Sequence, residues 1–554
     1  MRKVILSLLI LLLPFWLFGQ QQPAPAIDTD EGTLFGGSTS AGTDTGTAGA
    51  QGAGTQPQAA QPAGAQAQAP AQPQAPAPST GVTTPTLSSG MNSLLLRTNG
   101  TEIGGTYFFA ASPTWTWTGT STASQPAEQG LNPILGVQMY FDSKPLVSKQ
   151  GETFHVYGKF DFFSPFPAGA YTSDFSPARF NAPLLPTDLS QSFKLEELFA
   201  DFNWGQAVWF RAGKQTVKWG VGYFFSPADV LSLASIDPAN PTATLEGPIA
   251  LKTQVPFGQD NFYLYTVASN ALTPQQVAWA PKLEMVFGNA ELAVAGYYRP
   301  DMVVRPRAML MASFPVWIAD VYGEAVGSYG SDRHYVQDQG GIYSVSTDFN
   351  DLFFQGTIGF TIAWNDSLEN WNLTLNAQYY YNGQGYRDSS VVTGIAANPS
   401  PAVLAGLEAN GLLPTDLLFS GRHYAAVAAG LSKILGSAWG LSATWVGDLS
   451  DGSGELIPGV SCILTKDVTV ALSAPFWYGA AGTQFTTPQV YGGGYGGYLI
   501  PGTLVAPALS VTLWDMMTVS AAVPVAWNQN PDGSLSWKSA SLSLSVQMGM
   551  TQGF

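Results

Sequence analysis

Charge is scarce in this chain: Asp, Glu, Lys and Arg make up 11 % of its residues, against roughly 25 % in soluble domains. Cysteine occurs once, at Cys462, which excludes an intramolecular disulfide and leaves a small wall residue in the run GVSCILT. The three histidines, His155, His334 and His423, are scattered and give no metal-ligand spacing. No Gly-rich phosphate loop is present. Ser420 lies near His423, but residues three apart on a strand point to opposite faces, so they make no nucleophile and base. The chain is expected not to be an enzyme, and to bind no cofactor or metal. Thirty-eight acidic residues face 22 basic ones, a net charge of −16. Nucleic acid, which calls for basic patches, is therefore excluded as a partner. After the first 20 residues there is no long apolar run, so no transmembrane helix is expected.

What is present is apolar but dispersed. Hydrophobic residues make up 45 % of the chain, aromatics 12 %, and there are 60 glycines. Only helices and closed barrels satisfy backbone polar groups in lipid. A barrel spreads its apolar residues in twos rather than in runs. The end of the chain, SLSLSVQMGMTQGF, has that form. Leu542, Leu544, Val546, Met548, Met550, Gln552 and Phe554 share one face, and Ser541, Ser543, Ser545, Gln547, Gly549, Thr551 and Gly553 the other. WNLTLNAQYYYN alternates likewise, with Trp371, Leu373, Leu375, Ala377, Tyr379 and Tyr381 on one face. This pattern marks about twenty strand candidates between residues 103 and 554. They include 191–204, 206–219, 302–313 and 315–327. Tight links at Gly205, 257–259, 365–368, Gly436, 465–466 and Trp514 alternate with longer ones at 165–190, 220–245, 328–351, 383–418 and 479–499. That is the rhythm of periplasmic turns and extracellular loops.

The N-terminus supplies a route to such a membrane. Arg2 and Lys3 precede the apolar stretch Val4–Phe18, broken by Pro14. Residues 1–20 read as a secretory signal peptide, with cleavage after Gly19 or Ala26. Residues 21–37 form a short acidic–apolar segment, and the stretch 31–37 around Leu34 and Phe35 is a candidate docking peptide for a periplasmic partner. Residues 38–100 are rich in Ala, Gly, Gln and Pro, cannot bury a core, and read as a disordered periplasmic linker. The barrel is expected over 101–554.

The densest cluster of chemistry lies in FKLEELFADFNWGQAVWFRAGKQTVKWGVGYFFSPADVL. Pairing Trp204 with Gln206 places Arg211 opposite Phe199, with Glu197 and Asp201 as its diagonal neighbours and Gln215 on the same face. An Arg between two carboxylates belongs on a lumen wall, not in lipid. These charges either brace the wall and hold an inward loop, or form a constriction that orients a polar solute. Lys214 and Lys218 fall on the other face, which calls for a bulge or for snorkelling at the rim. Ser226-Pro227-Ala228-Asp229 has the composition of a helix start. Its loop either folds into the pore or lies on the surface. PSPAVLAGLEANGLLPTDL in 383–418 reads as a second short helix.

Two segments carry a family resemblance. The closing strand resembles that of bacterial outer-membrane barrels, where a terminal phenylalanine, here Phe554, is the insertion signal read by the barrel-assembly machinery. Arg211-Ala-Gly213-Lys-Gln215-Thr-Val-Lys-Trp219-Gly220 is similar to the R-x-G-[KR]-Q-x-x-x-W-G strand of porin-like families that include relatives of alginate-export barrels. The strand tally and the resemblance together lead to the expectation of an all-β, single-chain transmembrane antiparallel barrel of about 18–20 strands in the outer membrane of a diderm bacterium. The resemblance implies passage or export of a solute; with the barrel's width and acidic balance, the function expected is a porin-like channel for small polar solutes. Two alternatives stay open: a transporter for hydrophobic compounds, similar to the fatty-acid channel, and a surface-exposed adhesin or structural barrel.

Overall fold

The computed structural model describes residues 96–97, 101–111, 114–118, 127–128, 133–143, 146–147, 153–164 and 193–553. Within the last range it leaves out 206, 234–235, 243–244, 270, 339–341, 367–369, 388–391, 393–405, 408, 413–415, 417–418, 481–482, 486–502, 515–516 and 530–534. Residues 1–20, read as a signal peptide, the 21–37 segment and Phe554 lie outside the described residues. Of the expected 38–100 linker only Leu96–Arg97 are described. They pair with Ile103 and Glu102, so strand structure starts a few residues before 101.

The described residues form an almost wholly antiparallel β structure. Its main sheet has 27 strand segments, and where consecutive segments share the same neighbours they make one wall strand, giving a 20-strand sheet. The wall runs through β1 (Thr101–Ala111, continued by Thr114–Thr118), β2 (Pro133–Ser143), β3 (Thr153–Ser164), β4 (Phe193–Trp204) and β5 (Val208–Lys214). It continues through β6 (Ile249–Phe257), β7 (Asp260–Val267), β8 (Ala278–Phe287), β9 (Ala290–Tyr297) and β10 (Arg307–Val316). Next come β11 (Ala319–Tyr329), β12 (Leu352–Asn365), β13 (Asn372–Asn382), β14 (His423–Ser432) and β15 (Trp439–Asp448). The last five are β16 (Ser453–Thr465), β17 (Val468–Ser473 with Phe476–Tyr478), β18 (Thr503–Val505 with Ala508–Leu513), β19 (Met517–Ala522 with Val525–Gln529) and β20 (Leu535–Gly553). Each pairs with its sequence neighbours. β20 returns to β1, from Gly104 opposite Gly553 to Ala111 opposite Val546, and closes the sheet. Closure removes the unpaired edges that a membrane would not tolerate.

The two faces of the wall differ as lipid and lumen require. On β10, Leu310 is 47 % exposed, while its neighbours Met309 and Met311 are 2 % and 1 % exposed. Leu251, Phe262, Ile358, Leu441 and Leu472 continue the exposed apolar face. Wide aromatic rings mark its turn end: Trp204, Trp317, Trp364, Trp439 and Trp514 are all exposed, as interfacial anchors are. On β12, Phe354 and Trp364 are both exposed and sit ten positions apart. That separation is roughly 33 Å along a strand, and about 25 Å across the wall at the usual barrel tilt, the height of a lipid-facing band.

Tight links gather at one end of the barrel, as at Gly258–Gln259, Gly288–Asn289 and Lys466–Asp467. The long connections 165–192, 215–248, 330–351, 383–422 and 479–502 emerge at the other. Two expected boundaries move. The strands placed at 302–313 and 315–327 are Arg307–Val316 and Ala319–Tyr329. Their turn uses Trp317 at φ 57°, as Trp514 is used at φ 51°. Turn chemistry read from glycine and asparagine does not flag a tryptophan in a left-handed position. The strand placed at 206–219 ends at Lys214, and the loop residues 330–351 hold a hairpin of their own, His334–Asp338 against Tyr343–Thr347.

Leu310→Arg, at the centre of the lipid face, should destabilise the folded barrel by about 2–4 kcal/mol. Urea titration of the protein refolded into vesicles would measure this against wild type. A neutral result would count against Leu310 facing lipid.

Candidate functional site

The β4–β5 hairpin is where the wall gives way to an inward segment. Trp204 pairs with Val208 and Asp201 with Arg211, so the register sits two residues from the one expected, because the link is a wider turn over 205–207. Arg211 is therefore directly opposite Asp201. Its Nε and Nη2 donate to the two carboxylate oxygens at 2.7 and 3.1 Å, and its guanidinium lies 3.9 Å above the Phe199 ring. Both members are buried. Bidentate geometry and a ring face offset part of the desolvation such a pair suffers. Asp201 also meets His155 Nδ1 at 3.0 Å, and His155 Nε2 meets Asp142 at 2.8 Å. The structure thus brings Asp201 and Arg211 together and links them to two residues, Asp142 and His155, that the sequence reading left unassigned.

Glu197 and Gln215 hold something else. Glu197 accepts the backbone N–H of Thr216 at 2.9 Å. Gln215 is buried and donates from Nε2 to the Ala250 carbonyl at 3.1 Å. Both tie down the first residues of 215–248, which turn off the wall after Gly213. Gly213 has φ 136°, and a Cβ there would lie 2.1 Å from the Leu198 carbonyl. This twist answers the question of Lys214, which reaches the Leu195 carbonyl and pairs with Glu246.

The inward segment lines the inside of the wall. Val217 and Trp219 are buried while Thr216 and Lys218 are exposed. Val217, Trp219, Ala228 and Leu231 pack on a shelf of Tyr263, Tyr265, Ala280, Ala295, Met309 and Val326, from β7 to β11. Alanines on β8 and β9 leave room for the indole, which stands edge-on to Tyr265 at 5.2 Å. Lys282 donates to the Trp219 carbonyl at 3.2 Å. Farther along, Phe224 and Phe225 pack against Tyr380, Tyr424, Ala426, Val446 and Trp477, from β13 to β17.

Two wall side chains hold the segment's backbone. Glu324 on β11, 4 % exposed, accepts from the N–H groups of Val221 and Gly222, each at 2.6 Å, and of Ala228 at 2.9 Å. It also accepts from Ser226 Oγ at 2.9 Å. Gln378 on β13 takes the next three N–H groups on one oxygen, those of Tyr223, Phe224 and Phe225, at 3.2, 2.6 and 3.3 Å. Its amide nitrogen donates to the Phe225 carbonyl at 2.5 Å. Gly220 must be glycine here: a Cβ would lie 2.5 Å from Glu324 Oε1. The expected helix at Ser226 does not form. Its hydroxyl serves the wall carboxylate, and only a turn from Ser226 to Asp229 remains. Asp229 accepts from Ser232 N–H and Oγ, and burial pushes its carboxyl above the usual range.

At the loop end, Asp416 from the 383–422 connection accepts from the His334 N–H and meets its ring at 3.1 Å, while Arg333 donates to the Asp416 carbonyl. Much of the second expected helix lies outside the described residues; within it, residues 406, 407 and 409 are helical. Asn410 bonds back to Gly406, and Leu407 and Leu412 are buried.

No family model matches the chain, and none of the curated proteins compared with it matches in sequence. Among solved structures, it is similar to a mutant porin of Rh. blastica at 8 % identity and TM-score 0.33, over 81 % of this chain and 100 % of that one. It is also similar to OccAB4 of Acinetobacter baumannii at 8 % identity and TM-score 0.36, over 81 % of this chain and 98 % of that one. At these scores the likeness decides nothing about function.

Glu324→Ala would leave three N–H groups and a hydroxyl without their acceptor, each worth about 1–3 kcal/mol when buried. The barrel should still form, with its heat-modifiable gel shift intact. The inward segment should loosen, seen as faster proteolysis within 216–232. Unchanged proteolysis would mean the apolar shelf alone holds the segment.

Proposed function

We propose that the protein is an outer-membrane channel for small polar solutes, narrowed by the inward segment. The observation that carries this reading is the uneven lining of a closed wall of twenty strands. Barrels of 16–18 strands already leave an aqueous channel. Here the inward segment covers the inner faces of β6 to β17, while its contacts among the described residues stop short of β1 to β3. The inner face of β1 to β5 carries six carboxylates, Glu102, Asp142, Asp161, Glu196, Glu197 and Asp201. Against them stand four permanent cations, Lys159, Lys194 and Arg211, with Arg97 in register opposite Glu102. Under this proposal that arc is the passage wall, and its acidic surplus favours cations and neutral solutes over anions.

The R-x-G-[KR]-Q-x-x-x-W-G likeness supports the same reading, since each of its fixed positions has a task in seating the segment. Arg211 pairs with Asp201, Gly213 makes the bend, Gln215 anchors, Trp219 fills the shelf, and Gly220 admits Glu324. The proposal extends to the two ends of the chain. Residues 1–20 direct export, 38–100 hold the 31–37 peptide in the periplasm within reach of a partner, and the strand ending at Phe554 engages the assembly machinery.

Single-channel recording of the refolded protein in a planar bilayer tests the proposal. Steady open steps in KCl are expected, with a reversal potential on the cation side in a salt gradient. Arg211→Ala leaves Asp201 without its cation and should move the reversal potential further that way. A verified folded barrel that passes no current would overturn the channel reading.

A further inference from the structure

The arc left uncovered by the inward segment is built in tiers. On its loop-end side, Lys159 pairs with Glu196 at 2.7 Å. On its turn-end side, Asp142 pairs with His155 at 2.8 Å. Between them runs a ladder of rings across three strands. Tyr140 on β2 stacks with Tyr157 on β3 at 6.4 Å, and Tyr157 with Phe199 on β4 at 5.3 Å. The Arg211 guanidinium covers the far end of the ladder, which leaves Tyr140 and Tyr157, both half-buried, as its accessible part. The same-face residues of β3 repeat about every 7 Å, so the three tiers span roughly 14 Å.

From this juxtaposition we infer that the Tyr140–Tyr157 ladder is a binding site for compact organic ammonium cations on their way through the channel. The inference rests on the channel reading and names its solute. Aromatic rings attract ammonium groups through their electron-rich faces, and the carboxylates of the arc outnumber its permanent cations. Asp142, next to the ladder, keeps its side chain 46 % exposed, and Glu102 accepts from the Tyr140 hydroxyl at 3.1 Å. An anion would meet that acidic surplus. A long-chain hydrophobic solute would meet charged tiers within one residue repeat on either side of the rings. A neutral sugar could use the rings but would gain nothing from the surplus charge.

The test uses the full-length folded protein in a planar bilayer in KCl, titrated with choline chloride and, separately, with glucose. Choline should reduce the potassium current saturably and glucose should not. Tyr157→Phe should keep the effect. Tyr157→Ala should raise the half-saturating choline concentration about three- to five-fold, the weight of one exposed cation–ring contact, and Asp142→Asn should raise it as well. Block by glucose and choline alike, or an unchanged response in Tyr157→Ala, overturns the site while leaving the channel standing. If the barrel passes no current at all, the channel reading fails on its own. Calorimetric titration of the detergent-folded barrel with choline then decides the site: saturable heat lost in Tyr157→Ala supports it, and no heat in the wild type overturns it.

Discussion

The interior of this barrel depends on a carboxylate and an amide that accept backbone N–H groups. A segment that leaves a sheet carries its polar backbone with it, and each buried N–H needs an acceptor. Residues 221–228 find theirs on two wall side chains, Glu324 and Gln378, which between them accept six N–H groups and one hydroxyl. The apolar shelf then supplies burial, but burial without those acceptors would leave the donors stranded. Other local choices follow from the same demand. Glycine stands at 220 because a side chain would collide with Glu324. The helix that Ser226-Pro227 favours gives way because the hydroxyl is already committed.

The wall is largely legible in the sequence. Alternation in twos marks each wall strand, and the lengths of the links mark which end is which, because a closed sheet leaves the chain little other freedom. The errors are local and share a cause. The β4–β5 register is off by two because a one-residue link at Gly205 and a wider turn read alike in sequence. The β10–β11 turn is displaced because Trp317 serves as an interfacial anchor and adopts a left-handed conformation.

The site was legible only in part. Arg211, Asp201, Glu197 and Gln215 stand out because charge on a membrane strand is costly and must be matched. All four lie in contacts that join the hairpin or hold the start of the inward segment. Glu324 and Gln378 did not stand out. Each is a single polar residue in an alternating strand, which reads as ordinary lumen lining. Their partners lie about a hundred and about 150 positions away in the chain. No local pattern encodes that distance; only the circular wall does, by bringing β5, β11 and β13 around one lumen.

The same geometry explains why the charges of the hairpin sit where they do. The inward segment must leave the wall at a fixed point with a fixed twist, or its N–H groups would miss Glu324. Gly213 provides the twist, and the strand on either side of it must not slip. A one-residue slip of β5 would send Arg211 to the lipid face and Phe210 to the lumen. A buried bidentate pair between Asp201 and Arg211 adds little net stability by itself. Its value is that only one register satisfies it, since any other leaves an unmatched charge in an apolar place. Read this way, the ion pair specifies the register of the hairpin, the hairpin aims the segment, and the segment leaves one acidic, ring-lined arc of the lumen uncovered.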